Sequence, residues 1–117
     1  TENTVQILIN AGANVNSQND NGWTALMLAC TYSRTESTEN TVQILINAGA
    51  NVNSQDIDGW TSLMIACRYS NEESSEKTVR MLIDAGANIN LKNINRKLII
   101  GRIYWIIQIK NRISERS

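Results

Sequence analysis

The sequence contains no histidine, no proline and no phenylalanine, and it has only two cysteines. Histidine is the commonest general base in enzymes and the commonest metal ligand, so its absence removes the most frequent route to catalysis and to metal binding. Two cysteines are too few for a disulfide scaffold, which favours a reducing, intracellular location, and we expect the cytoplasm. No apolar run reaches the roughly 18–20 residues that a membrane-spanning helix needs. The chain opens at Thr1 in the middle of a pattern, which indicates a longer native protein.

The formal net charge is zero, but charges of opposite sign are concentrated in two parts of the chain. Residues 1–91 carry four basic side chains against ten acidic ones, a net charge of −6. Residues 92–117 carry seven basic side chains against Glu115 alone, a net charge of +6. An asymmetry of this kind indicates a separate role or origin for the C-terminal segment.

Three copies of one segment follow each other at a fixed spacing. The stretch TENTVQILINAGANVNSQ at 1–18 recurs letter for letter at 38–55, and a looser copy, SEKTVRMLIDAGANINLK, occupies 75–92. A second motif, GWTALMLAC at 22–30, returns as GWTSLMIAC at 59–67. A constant period of 37 residues predicts a repeat architecture, in which each unit buries its apolar face on its neighbours.

Each unit contains two predicted helices. Leu26, Ala29 and Cys30 lie at positions i, i+3 and i+4, which gives the first helix one apolar stripe, and the equivalent stripe recurs 37 residues later. The second helix is expected to begin at Thr38 in one repeat and Ser75 in the next, where a hydroxyl could cap free amides. Its apolar stripe contains Val42, Leu45 and Ile46 and their counterparts, and it is expected to end at a glycine: Gly12, Gly49 or Gly86.

Those residues resemble a known repeat family. The run Thr24-Ala25-Leu26-Met27 with Ala29, followed by Val42, Leu45 and Gly49-Ala50-Asn51-Val52-Asn53, is similar to the ankyrin repeat, whose pattern is G-x-T-P-L-H-x-A-A and then V-x-x-L-L-x-x-G-A-x-x-N. The resemblance covers residues 1 to about 95. It implies an all-α solenoid of stacked helix-loop-helix units with hairpin-like connections.

The chain departs from the family pattern in three ways. Alanine and methionine, or serine and methionine, replace the proline and histidine of T-P-L-H, so we expect a hairpin that is braced less well. The period is 37 residues, whereas the family period is about 33, and the extra residues fall in the polar loops 33–37 and 70–74. The third unit loses the pattern after Asn95. We therefore divide the chain into an array at 1–95, with a partial repeat at 1–18 and repeats at 19–55 and 56–92, and a C-terminal segment at 96–117.

The sequence offers no convincing catalytic or metal site. Cys30 and Cys67 are the only strong nucleophiles, and no histidine is present to activate them. Each occupies a position where the ankyrin family prefers a small buried alanine, so we predict packed, inert thiols. Equivalent positions of stacked helices lie roughly 10 Å apart, beyond the ~7 Å limit for a disulfide.

The remaining polar and glycine residues have simpler explanations. The glycines that end the second helices are isolated and do not form a phosphate-binding loop. Asp20, Asp56 and Asp58 fall in turns, where they cap and solvate the backbone. We predict that the protein is not an enzyme, has no cofactor or metal, and uses no small-molecule substrate.

The resemblance implies a surface for binding another protein. In ankyrin repeats the hairpin tips and the exposed face of the first helices form a concave surface that contacts partners. The matched positions here are Gln18, Asp20, Asn21, Trp23, Thr31 and Tyr32 in one repeat, and Gln55, Ile57, Asp58, Trp60, Arg68 and Tyr69 in the next. Each tryptophan has two interpretations: it covers its own hairpin, or it is presented to a partner. Because Trp, Tyr and Arg dominate interface energetics, we favour the second.

The C-terminal segment leaves several alternatives open. An approximate apolar stripe through Ile99, Ile103, Ile106, Ile107 and Ile113 favours an irregular C-terminal helix that acts as a degenerate cap on the stack. Residues 98–109 are also apolar nearly all round, which fits self-association. A disrupted repeat is a further alternative. Basic flanking residues permit attachment to an anionic membrane or, less readily, to nucleic acid: Arg96, Lys97, Arg102, Lys110, Arg112 and Arg116. The favoured function is that of a non-catalytic protein-binding adaptor or scaffold. The competing hypothesis is a structural protein whose tail drives self-association or membrane attachment.

Overall fold

A computed structural model describes residues 2–32, 35–68 and 73–91. Within those ranges the chain forms five α-helices and no strand, which confirms the predicted all-α class. The helices are α1 (Glu2–Asn10), α2 (Ala25–Thr31), α3 (Glu36–Asn47), α4 (Ser62–Arg68) and α5 (Glu73–Asp84). The predictions for the tail at 96–117 lie outside the described residues.

A threonine directly precedes each of the two first helices, α2 and α4, and caps its N-terminus. Thr24 has an extended backbone (φ −98°, ψ 166°), and its Oγ1 accepts the Met27 amide at 3.3 Å. The sulfur of Met27 in turn accepts the Thr24 amide at 3.5 Å, so the two residues cap each other. Thr61 and Met64 repeat both contacts in α4. Methionine stands where the family pattern has histidine, and we expected the loss of histidine to leave the hairpin braced less well. The methionine sulfur, although a weak acceptor, makes a hydrogen bond from that position.

The second helices begin earlier than the sequence predicted. Helix α3 begins at Glu36 and α5 at Glu73, so the predicted caps at Thr38 and Ser75 are wrong. The N-cap of α3 is Thr35, whose Oγ1 accepts the Thr38 amide at 3.3 Å, while the Thr35 amide donates to Thr38 Oγ1 at 3.0 Å. Thr38 is thus the reciprocal partner of the cap, because a threonine hydroxyl takes the place that glutamate or glutamine usually fills.

Glycine ends each second helix, as predicted. In α3, Gly49 has a φ of +92°, its amide donates to the Ile46 carbonyl at 3.1 Å, and the Ala50 amide donates to the Leu45 carbonyl at 3.0 Å. The same pair of bonds follows α1 and α5. Only glycine adopts this left-handed conformation at little cost, so the chain turns away from the helix at the same position in every repeat.

The helices form two layers. The first helices α2 and α4 pack against each other, and the second helices pack in the order α1, α3, α5. Each first helix also packs on the second helix of its own repeat. The core lies between the layers and contains Leu26, Met27, Cys30, Val42, Leu45, Val52, Leu63, Ile65, Ala66, Cys67, Val79 and Leu82.

Asparagine side chains join the backbones of neighbouring repeats. The side-chain amide of Asn16 donates to the Gly49 carbonyl at 3.2 Å, and its Oδ1 accepts the Asn51 amide at 2.6 Å. Asn53 repeats this bridge one period later, with the Gly86 carbonyl at 3.3 Å and the Asn88 amide at 2.7 Å. The asparagines of the GANVN motif therefore serve as backbone-bonding residues, as predicted, and they fix the register of the repeats.

Candidate interaction surface

A side-chain oxygen organises the tip of each hairpin. Oδ1 of Asn19 accepts the amides of Asn21 at 3.0 Å and of Trp23 at 2.9 Å, and the Asn19 amide donates to the Trp23 carbonyl at 3.0 Å. Asp56 makes the equivalent contacts with Asp58 and Trp60 in the next repeat. The predicted turn role of Asp56 is confirmed. The role of Asn19 was missed, although its position four residues before a tryptophan matches that of Asp56.

The two hairpin tips are stacked directly on each other. The Ile57 amide donates to the Asn21 carbonyl at 3.1 Å, and the side-chain amide of Gln18 bridges the carbonyls of Gly22 at 2.8 Å and Gln55 at 3.3 Å. A β-carbon added to Gly22 would lie 3.0 Å from the Asp56 α-carbon. Gln18, which the sequence placed among the partner-binding residues, therefore connects the repeats, and Gln55 likewise braces its own hairpin through the Gly59 carbonyl at 2.9 Å.

Both tryptophans of the repeats are half-buried. Trp23 and Trp60 pack against the hydrophobic core, and each residue is partly exposed. The Trp60 amide is also held by Asp56 Oδ1 at 2.9 Å. Each tryptophan thus contributes to the core and stays partly accessible, so both interpretations of its role stay open.

Arg68 lies over the ring of Trp60. Its guanidinium carbon is 5.5 Å from the centroid of the indole, within the range of a cation–π contact. Arg68 is the last residue of α4 and is exposed, whereas Trp60 lies at the end of the hairpin that precedes the same helix. The structure therefore brings together two predicted site residues that are eight positions apart in the sequence.

The other predicted residues differ in exposure. Tyr32 is 67% exposed and Ile57 is 66% exposed. Thr31 is partly buried, and its hydroxyl donates to the Met27 carbonyl at 3.0 Å. Tyr69 lies outside the described residues. The remaining polar candidates are exposed: Asp20, Asn21 and Asp58.

Both cysteines of the chain are buried. Cys30 and Cys67 are both buried in the core and are not joined in a disulfide. Burial raises the pKa of Cys30 to about 12, partly offset by the hydroxyl of Ser62 and reinforced by the nearby Cys67. A thiol that stays protonated at neutral pH is a poor nucleophile, so the prediction of a packed, inert thiol fits Cys30, and Cys67 is packed in the same core.

Residues 2–32, 35–68 and 73–91 contain no group of three His, Cys, Asp or Glu side chains that could hold a metal ion. None of the five described helices has the length and hydropathy that a bilayer crossing requires.

The repeat geometry agrees with a comparison to known families. A family model for ankyrin repeats, in three copies, matches residues 1–93. The chain belongs to the ankyrin repeat family. No curated protein matches the chain. Ankyrin repeats are in general protein–protein interaction modules and are typically non-catalytic, so the family places this chain in that broad class.

Proposed function

We propose that this chain is a non-catalytic adaptor or scaffold module that binds a protein partner through its hairpin tips and first helices. The observation that carries the proposal is the exposed Arg68 lying over the half-buried Trp60 ring. Tryptophan and arginine are over-represented among the residues whose truncation costs ~2 kcal/mol or more at interfaces. Ile57, in the turn that Asp56 and Trp60 close, adds an exposed apolar side chain to the same hairpin.

Contacts within the chain itself position the Trp60–Arg68 pair. Trp60 packs on the core, and its amide is bonded to Asp56, while Arg68 rests on the ring. Binding a partner immobilises side chains at a cost of roughly 0.5–1.5 kcal/mol for each flexible one. Because Trp60 is already held by the core and by Asp56, ordering its ring on binding costs less than ordering a tryptophan on a mobile loop.

Negative charge at the hairpin tips favours a partner that carries a basic side chain. Asp20 and Asp58 are exposed at successive tips, and residues 1–91 carry a net charge of −6. Complementary charge accelerates encounter and suppresses unsuitable partners. We therefore propose a partner segment that places a basic side chain near the tips and an apolar side chain against Trp60 and Ile57.

Affinity capture from a lysate of the source cell tests the proposal. The bait is the full chain, compared with a Trp60→Ala/Arg68→Ala variant that circular dichroism shows to be folded. Lys77→Ala/Arg80→Ala on α5, which removes exposed charges from a second helix, is the matched control. Proteins lost with the first variant and kept with the control support the proposal. Capture of the same proteins by all three baits would place the function elsewhere.

The competing hypothesis of tail-driven assembly makes the reverse prediction. A chain that lacks residues 98–117 should keep its captured partners if the repeat surface binds them. It should lose them, together with any self-association or membrane attachment, if the tail is responsible. For location we propose a reducing intracellular compartment, since the two cysteines are thiols packed in the core.

A further inference from the structure

The first hairpin tip contains a chemically labile pair of residues. Among the asparagines of the chain, Asn21 alone is followed by a glycine. An asparagine side chain loses ammonia when the amide nitrogen of the next residue attacks its carbonyl carbon. This attack is easiest at glycine, which has no β-carbon to obstruct it. Asn21 is exposed at the tip, so water can reach the site and complete the reaction.

Hydrogen bonds hold the attacking nitrogen in the closed tip. The Gly22 amide donates to the Asn19 carbonyl at 2.8 Å, and the Asn21 carbonyl accepts the Ile57 amide of the next repeat at 3.1 Å. Both polar groups of the peptide unit between Asn21 and Gly22 are therefore bonded. The nitrogen has to leave the Asn19 carbonyl before it can reach the Asn21 side chain. Because such a local opening costs free energy, only a fraction of the molecules is reactive at any time.

The second repeat shows that an aspartate fits this position of the tip. Asp58 occupies the place of Asn21 one period later, and it too precedes a glycine. The Asp58 amide donates to Asp56 Oδ1 at 2.9 Å, just as the Asn21 amide donates to Asn19 Oδ1 at 3.0 Å. The backbone geometry of the tip therefore accommodates an aspartate in place of Asn21.

We propose that Asn21 is a deamidation site and that opening of the hairpin tip sets its rate. The Gly22 nitrogen forms a bond to the carbonyl carbon of the Asn21 side chain. The bond from that carbon to the side-chain nitrogen breaks, and the proton of the Gly22 amide leaves with this nitrogen as ammonia. Water then opens the resulting succinimide ring at either of its two carbonyl carbons, which gives aspartate or isoaspartate. The tip gains one negative charge.

The two products differ in how they fit the stacked tips. Aspartate leaves the backbone unchanged, whereas isoaspartate lengthens it by one carbon. The tips have no room for that change, since even a β-carbon on Gly22 would lie 3.0 Å from the Asp56 α-carbon. Aspartate therefore keeps the stacking of the repeats, and isoaspartate disrupts it.

The aspartate product adds to the charge of the proposed interaction surface. Asp20 is already exposed at the same tip, and deamidation places a second carboxylate beside it in the sequence. Complementary charge accelerates encounter, so the modified tip should meet a basic partner segment faster. This consequence rests on the proposed function, but the modification itself does not.

Mass spectrometry of the full chain, incubated at neutral pH, tests the proposal. We expect Asn21 to be converted before any other asparagine, at a rate about tenfold or more below that of the urea-unfolded chain. Gln18→Ala removes the side-chain bond to the Gly22 carbonyl and should raise the rate about 2- to 10-fold. The matched control is Gln55→Ala, which removes the equivalent bond to the Gly59 carbonyl and should raise the rate less.

Four results would overturn the proposal. They are earlier conversion of another asparagine, equal rates in the folded and unfolded chains, equal effects of Gln18→Ala and Gln55→Ala, and retention of the Asn21 amide in both the natural chain and Gln18→Ala while the unfolded chain is converted. The fit of the product is checked with Asn21→Asp, whose midpoint of thermal unfolding should match that of the natural chain. A clearly lower midpoint would contradict that fit. Because none of these measurements needs a partner, failure of this inference and failure of the proposed function are distinguishable.

Discussion

The guanidinium carbon of Arg68 lies 5.5 Å from the centroid of the Trp60 ring and connects the end of α4 to the hairpin before it. The ring rests on the core, so the arginine is held over a rigid support. Arg68 is exposed at this position, and the pair forms the most specific feature of the proposed interaction surface.

The contact should be measurable as a coupling between the two residues. Arg68→Met keeps much of the side-chain length and removes the charge, so we expect the free energy of unfolding to fall by about 0.5–1 kcal/mol. In a Trp60→Leu background the same change should have almost no effect, because the ring is already absent. Urea denaturation of the four proteins completes the cycle. Equal losses in both backgrounds would mean that the ring does not stabilise the arginine.

The close stacking of the hairpin tips can be tested with two glycines. Gly12 and Gly22 both have a positive φ, at +93° and +79°, so alanine is strained at either position. A β-carbon meets nothing within 4 Å at Gly12, but at Gly22 it lies 3.0 Å from the Asp56 α-carbon and the Ile57 amide nitrogen. Gly22→Ala should therefore lower the free energy of unfolding by about 1–3 kcal/mol more than Gly12→Ala. Similar losses for the two variants would show that the tips are not in contact.

The repeat pattern predicted much of the fold, and its limits have specific physical causes. Glycine at the end of each second helix and the stripe of Leu26 and Cys30 follow from periodicity and backbone sterics, and both predictions are confirmed. The start of α3 was missed because Thr35 and Thr38 cap each other through two hydroxyls. The hydrogen bond from the Thr24 amide to the sulfur of Met27 was missed. The sequence showed that histidine is absent from this position but not that methionine makes a bond in its place.

The candidate site was predicted in part. Trp60 and Arg68 were expected on one face, and their side chains are in contact. The bridging role of Gln18 depends on how closely one hairpin approaches the next, which periodicity does not reveal. The partner-binding role of all these residues stays a prediction.

Thr78 and Thr61 offer a matched pair of buried threonines. Within the described residues, the Thr78 hydroxyl is buried without a hydrogen-bond partner, whereas Thr61 Oγ1 accepts the Met64 amide at 3.3 Å. Thr78→Val should leave the free energy of unfolding unchanged or raise it by up to about 1 kcal/mol, since no bond is lost. Thr61→Val should lower it by about 1–2 kcal/mol through loss of the cap. Urea denaturation measures both, and a large loss at Thr78 would reveal a hydrogen bond there.

The buried thiol of Cys30 should make stability depend on pH in alkaline solution. Its folded pKa of about 12 lies above the ordinary value of 9.0, so the folded state favours the protonated thiol. The resulting stabilisation is complete below the unfolded pKa and decreases as the pH rises from there towards the folded pKa, by about 1.4 kcal/mol per pH unit. Denaturation between pH 8 and 10 should show a shallower decline for Cys30→Ala than for the natural chain. Parallel declines would contradict burial of this thiol.

Photocrosslinking from two isoleucine positions tests the central claim most directly. Ile57 at the hairpin tip and Ile7 on α1 are almost equally exposed, at 66% and 67%, so a photoreactive residue at either position is equally accessible. If the hairpin tips and first helices bind a partner, position 57 should give a discrete protein adduct in a lysate of the source cell, and position 7 should not. The Trp60→Ala/Arg68→Ala variant should lose that adduct. Adducts from position 7 alone, or the same adducts from both positions, would contradict the claim.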